Sequence, residues 1–376
     1  MITESFLLRT KSAKKLYESY ARDMPIIDYH CHINPREIAE DRRFETITQI
    51  WLSGDHYKWR LMRSNGVPEE EITGQADDYI KFLSFAEMLP KAIGNPMYHW
   101  CHLELKRYFG YDGILNGDTA NDVWELCNEE LANPDMSVRN IIKRSNVKMI
   151  GTTDDPVDTL EWHKIIAEDK SMDTQVLPSF RPDKAVNIDK PGFADYMNKL
   201  GEAAGIRIRS ADDVKNALSR RLDFFCDMGC RSSDHGLDYM VYEPASDKEV
   251  DRIFKTAISG GEITQLEADK YKTAMLLHLG RENAKHGIVM QLHYGVQRNT
   301  NTKMFKRLGP DTGFDCISTK DCGIALTRFL DTLERDNALP KTIIYSLNLN
   351  DNELIDSVIG CFQGTETAGK IQHGSA

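Results

Sequence analysis

The sequence predicts an α/β fold built on parallel strands closing toward a barrel, and three observations lead there. Short apolar runs alternate with helical patterns, the runs are apolar throughout rather than at every second residue, and histidines gather at their ends. Near-continuous apolar character is what a strand covered on both faces requires. In parallel α/β folds the carboxyl ends of the strands converge on the ligand site, so polar residues there carry functional meaning.

Seven runs read as strands: 25–33 (PIIDYHCHI), 147–153 (VKMIGTT), 174–181 (TQVLPSFR), 230–236 (CRSSDHG), 287–295 (GIVMQLHYG), 342–349 (TIIYSLNL) and 369–376 (GKIQHGSA). The fourth has the weakest pattern. Helical patterns separate them. One opens at Ser210, carries Val214, Leu218, Leu222 and Phe225 on one side and ends near Gly229. Another opens on Ser246 with Glu249 three residues on, a capping-box sequence. Stretches 322–335 and 352–362 supply two more. Between 34 and 147 the patterns are helical and no strand is evident, so the expected organisation is an arm and first strand over 1–34, a helical insertion over the barrel mouth at 35–146, and the remaining barrel at 147–376.

The chain has 376 residues, of which 41% are hydrophobic and 28% charged, as in a packed globular protein. A net charge of -11 without a basic run argues against a nucleic-acid partner, because phosphate binding needs a concentrated positive face. Eight cysteines without a Cys-x-x-Cys pair suit scattered reduced thiols. No apolar stretch is long enough for a signal peptide core or a membrane span, so the expectation is a soluble cytoplasmic protein with no membrane partner.

His30 and His32 are the leading metal-ligand candidates, since residues i and i+2 of a strand share a face and two imidazoles can share one cation. Asp28 falls on that face, with Tyr29 and Cys31 on the other. His293 closes the fifth run and could ligate metal, bind a hydroxyl or move a proton; His235 offers a similar group at the fourth. Ser346 and Asn348 are further hydroxyl binders at the sixth. Arg181 and Arg298 each follow a strand, where a guanidinium fork suits a carboxylate. Within the insertion, WLSGDHYKWR at 51–60 lacks the regular apolar stripe of a covering helix, which makes His56 and Tyr57 candidates for sugar hydrogen bonds or proton transfer.

With DYHCH at 28–32, DHYKWR at 55–60, LPSFR at 177–181, SDHG at 233–236, QLHYG at 291–295, RNTN at 298–301 and LGPDTGFD at 308–315 in the same order along the whole chain, the sequence resembles the uronate isomerases, the isomerase branch of the amidohydrolase superfamily. The resemblance implies a (β/α)8 TIM barrel of the metal-dependent hydrolase type that interconverts hexuronates and ketouronates, typically D-glucuronate with D-fructuronate and D-galacturonate with D-tagaturonate. It implies His30 and His32 as ligands of one divalent ion, usually zinc, in a mononuclear site. Tyr57, His56 and His293 are the expected catalytic residues, with Arg181 matching a substrate-binding arginine, and Arg298, His235 and Arg60 are further expected substrate contacts. A homo-oligomer is also compatible with it. Family members carry a further strand with an Asp-x-Arg motif, and its aspartate is the expected third ligand and base. No residue up to Ala376 matches it, so the chain is expected to stop within its seventh strand and to hold a half-site. Two rival readings keep the fold: a metal-dependent hydrolase of a lactone, ester or amide, and a protein that binds a uronate or metal without turnover.

Overall fold

The computed structural model describes residues 2–3 and 5–374; the last two residues of the seventh expected strand, 375 and 376, lie outside the described residues. The chain divides into two units. One comprises Met1–Ile27, Arg36–Lys148 and Asn299–Asp315, the other Asp28–Pro35, Met149–Arg298 and Cys316–Ala376.

The first unit is helical. Its longer helices are His56–Ser64, Asp78–Met88, Pro96–Phe109 and Ala120–Leu131, and they bury Trp51, Met62, Phe82, Phe85, Leu105 and Val123 against one another. Pro96 stands in the first turn of its helix, where no amide hydrogen is needed, and Gly110 ends that helix in the left-handed conformation. The segment Asn299–Asp315, read from sequence with the barrel, belongs to this unit.

All seven apolar runs give strands. β1 (Ile26–Asp28), β2 (Val147–Gly151) and β3 (Gln175–Leu177) form one sheet. β4 (Ser179–Phe180), β5 (Ser232–Gly236), β6 (Val289–Tyr294), β9 (Thr342–Ser346) and β10 (Ile371–His373) form a second, in the order β4-β5-β6-β9-β10. β7 (Val296–Gln297) and β8 (Cys316–Ile317) make a small antiparallel pair that the apolar pattern does not announce. The five-stranded sheet is parallel throughout. Its neighbours follow chain order, which is the order repeated strand–helix units produce when each crossover has the same hand. Eight-stranded closure is not seen among the described residues, where no ladder joins β10 to β1.

The third apolar run becomes two strands because Pro178 sits inside it. Proline has no amide hydrogen for a ladder. β3 accordingly pairs with β2, and after the break β4 pairs with β5. The two sheets nonetheless meet across Pro178 through an isolated parallel bridge between Asp154 and Phe180.

Register sorts the strand residues into two faces. Phe180, Met290, Leu292, Tyr294, Ile344 and Ile371 pack into a large core with helices Ala211–Asp227, Gln265–His286 and Gly323–Arg335. Ser210 caps the first of these through Asp213 N. The Ser246 cap also forms, but Glu249 does not complete the box; its carboxylate takes Lys270 Nζ at 2.6 Å. The full capping box is one helix later, at Thr264 and Glu267. The eight cysteines are free thiols, and no helix among the described residues is long and apolar enough to cross a membrane.

Candidate metal centre and active site

Three groups meet on the opposite face of the five-stranded sheet's unit. His30, Asp234 and His293 each bring one ligand-type atom, all within 4.8 Å of one another. His293 stands two residues beyond Gln291 on β6, and Asp234 pairs with Gln291 in the parallel register, so both project on one side of the sheet. His30 lies past the end of β1, in a bend rather than a strand, with Cys31 N–H donating to Gly151 O at 2.9 Å.

Asp234 is fully buried and its two oxygens have different partners. Oδ2 accepts from Arg181 Nη1 at 2.9 Å. Oδ1 lies 3.1 Å from His293 Nε2, close enough for strong electrostatic coupling, yet the two do not meet at a hydrogen-bond angle. Asp234 Oδ1, His293 Nε2 and His30 Nδ1 are thus all buried polar atoms without a hydrogen-bond partner. A buried polar atom left alone is costly, and three converging on one point need a shared partner. A divalent cation meets that need, and neutral imidazole nitrogen with carboxylate oxygen is a donor set zinc and similar ions accept.

The electrostatics agree. Burial alone would raise the Asp234 carboxyl, but His293, Arg181 and His30 outweigh it and hold the group well below the usual carboxylate range. Burial pushes His30 down to about 4 against the pull of Asp234, so its ring is neutral near pH 7 and able to bind a metal. Tyr345 lies against the His293 ring, centroids 4.1 Å apart and planes within 5°, and its hydroxyl donates to Gln291 Oε1 at 2.8 Å. That stack fixes the imidazole's plane.

Arg181 donates to Asp183 Oδ2 from Nε at 2.8 Å as well as to Asp234. Gly236 explains how the guanidinium reaches this place: a Cβ there would collide with Arg181 Nη2 and come within 2.8 Å of Asp183 Oδ2.

Other expected residues are placed differently. The His32 ring is edge-on to His30 at 5.2 Å and is not one of the three converging donors. His235 points to the other side of β5, fully buried, with its Nε2 2.9 Å from Ser233 Oγ. The reason is the two-residue period of a strand: one step from His235, Asp234 is the residue facing the site, and reading the fourth run by histidine alone missed it. The same single step separates Ser346 from Tyr345. Ser346 and Asn348 instead bond to each other and to Asp351 in a turn. Arg298 stands 3.8 Å from Asp238.

His56, Tyr57 and Arg60 belong to the helical unit. Asp55 caps their helix, accepting from Tyr57 N and Lys58 N at 3.0 and 3.1 Å, and binds Lys58 Nζ at 2.6 Å. The His56 and Tyr57 rings are 4.4 Å apart, and Tyr57 is exposed. Arg60, expected at the substrate, gives its Nε to Gly313 O at 3.2 Å and its Nη2 to Asp315 O at 3.1 Å. Its planar fork serves as an anchor for the 312–315 loop.

A family model described as glucuronate isomerase matches residues 1–376. The chain belongs to the glucuronate isomerase family. A uronate isomerase of Lachnospira eligens is 57% identical over 373 residues, covering 99% of this chain and 80% of the relative. One from Endomicrobium trichonymphae is 55% identical over 375 residues, with 100% and 80% coverage. The crystal structure of uronate isomerase from Thermotoga maritima superposes with a TM-score of 0.93 at 33% identity, over 99% of this chain and 80% of that one. The glucuronate isomerase family assignment and the donor cluster are independent observations, one from the whole sequence and one from three side chains.

Proposed function

We propose that this chain is a uronate isomerase that interconverts aldo- and ketohexuronates, D-glucuronate with D-fructuronate and D-galacturonate with D-tagaturonate, around His30, Asp234 and His293. The observation that carries the placement is the convergence of three buried donor atoms without partners beside an arginine. Family membership over the whole chain carries the reaction.

A single divalent ion, zinc in this reading, would be held by His30 with Asp234 and His293, and by His32 as the resemblance implies. Bound there it supplies Lewis-acid polarisation of a substrate oxygen. The chain's own groups do the rest. Arg181 receives the substrate carboxylate, since its fork matches a carboxylate and a buried acid already holds it in place. Arg298 offers a second positive group. Moving a proton between C2 and C1 needs a base at the carbon and a group that carries hydroxyl protons between the oxygens. His293, with its ring stacked on Tyr345, serves in this reading as a ligand, and Tyr57 with His56, an exposed hydroxyl beside an imidazole, are the candidates for carrying hydroxyl protons. The eight-stranded barrel implied by the resemblance and a cytoplasmic place of action complete the proposal.

Incubation with D-glucuronate in deuterated water tests it. Ketouronate formation with deuterium at C1 or C2 is the expected result. A protein that leaves glucuronate and galacturonate unchanged but opens a lactone or ester would be the hydrolase instead.

A further inference from the structure

The segment Gly151-Thr152-Thr153-Asp154 continues from β2 and contributes no atom to the donor cluster, yet every residue in it is engaged. On one side Gly151 O accepts Cys31 N–H at 2.9 Å, and Thr153 Oγ1 donates to Cys31 O at 2.9 Å. Both main-chain polar groups of the residue between His30 and His32 are therefore held. On the other side Thr152 N–H donates to Leu177 O, Asp154 N–H to Ser179 O, and Arg181 N–H to Asp154 O, at 3.0, 3.0 and 2.9 Å.

The Asp154 side chain bridges the place where Pro178 interrupts the strand. Its Oδ2 accepts the Ser179 amide at 3.2 Å and the Thr152 hydroxyl at 2.7 Å. Thr152 Oγ1 is also 2.7 Å from His163 Nε2. A hydroxyl has one proton to give. With that proton on the carboxylate side, His163 Nε2–H is the donor to Thr152, while Nδ1 is a buried atom without a partner. Asp154 and His163 are both buried. Gly151 permits the close approach: a Cβ there would stand 2.7 Å from Tyr29 O and 3.3 Å from Ser179 Oγ.

We propose that this segment, backed by His163, is the positioning element of the site, setting the end of β4 and the Arg181 guanidinium against the loop that carries His30. Misplacement of a binding group by about 1 Å can cost on the order of 10²-fold in rate, which is the scale on which a buried brace between the two would act. The proposal rests on the reading that Arg181 receives the substrate carboxylate.

The full chain is compared with Asp154→Ala, Asp154→Asn, Thr152→Val and Arg181→Ala, measuring kcat and KM for D-glucuronate together with retained metal per chain. Asp154→Ala is expected to raise KM roughly 10- to 100-fold, the scale of losing a supporting partner, with a smaller change in kcat and metal content preserved. Asp154→Asn keeps an oxygen for Thr152 and Ser179 and should return KM close to the parent value. Unchanged KM in Asp154→Ala, or equal impairment in both Asp154 variants, overturns the proposal. Where Asp154→Ala does not fold, Thr152→Val decides: a raised KM supports the brace and an unchanged one overturns it. If Arg181→Ala itself leaves KM unaltered, the reading of Arg181 fails and the proposal with it. A raised KM there, with none in Asp154→Ala, overturns the brace alone.

Discussion

Asp234 and Asp154 are both buried aspartates of the same unit, and their carboxyls are shifted in opposite directions. Asp234 has Arg181 and two imidazoles around it, and these hold it ionised despite burial. Asp154 has a hydroxyl, an amide and a neutral histidine; burial dominates, and its carboxyl is pushed up to about 7. Two carboxyls that burial alone would raise are thus driven apart by their neighbours. In the proposals above, one aspartate serves the metal site and the other the frame around it.

The largest effect that would break this contrast is on Asp234. Asp234→Ala removes a donor atom and strands the Arg181 charge. Activity should fall by roughly 10²–10³-fold, the scale for losing one preorganised electrostatic partner. Stability should fall by about 3–5 kcal/mol, as when a buried ion pair loses one member. Turnover of D-glucuronate and thermal denaturation measure the two effects separately.

Asp154→Asn should act through pH instead. Folded Asp154 keeps its proton up to about pH 7, whereas its ordinary value is 3.8. Between those values the native state binds the extra proton, so stability falls as pH rises through the window and levels off above it. The Asn variant lacks that titration. Denaturant melts should show near-equal stability at the acid end of the window and a gap favouring Asp154→Asn that grows to at most about 4 kcal/mol above pH 7. Burial keeps His163 neutral down to about 4 in both proteins, so its own titration cancels in the comparison.

Gly151→Ala sharpens the contrast by disturbing the frame without touching a charge. The new methyl meets Tyr29 O, and the strain should cost about 1–3 kcal/mol. Thermal denaturation measures that cost, and a raised KM for D-glucuronate is the expected functional effect. The smallest effect is expected from Arg60→Ala in the helical unit. Losing two bonds to loop carbonyls should cost roughly 1 kcal/mol and speed amide exchange around Gly313 and Asp315. Wild-type exchange there would mean that another group holds the loop.

Much of the fold was legible because parallel strands buried on both faces write themselves as apolar runs, and each of seven such runs became a strand. His30 and His293 stood out as candidates for a related reason: a histidine near the carboxyl end of such a run is conspicuous. Asp234 was not, since an aspartate beside a histidine in a polar stretch carries no mark of which one faces inward. Its signal was the strand's parity, available only once the register with Gln291 on β6 is known.

By itself the sequence determined the α/β class, the order of strands and helices, the helical region and the family, all of which depend on local pattern and on motif order. Tertiary structure alone decided which neighbour of each pair faces the candidate site, that Arg60 bonds the loop at 313–315, and that Asp154 crosses the gap at Pro178. These depend on distances between residues far apart in the chain, and no local pattern encodes them. His30 was readable alone; the carboxylate and imidazole that complete its cluster come from strands more than two hundred residues later.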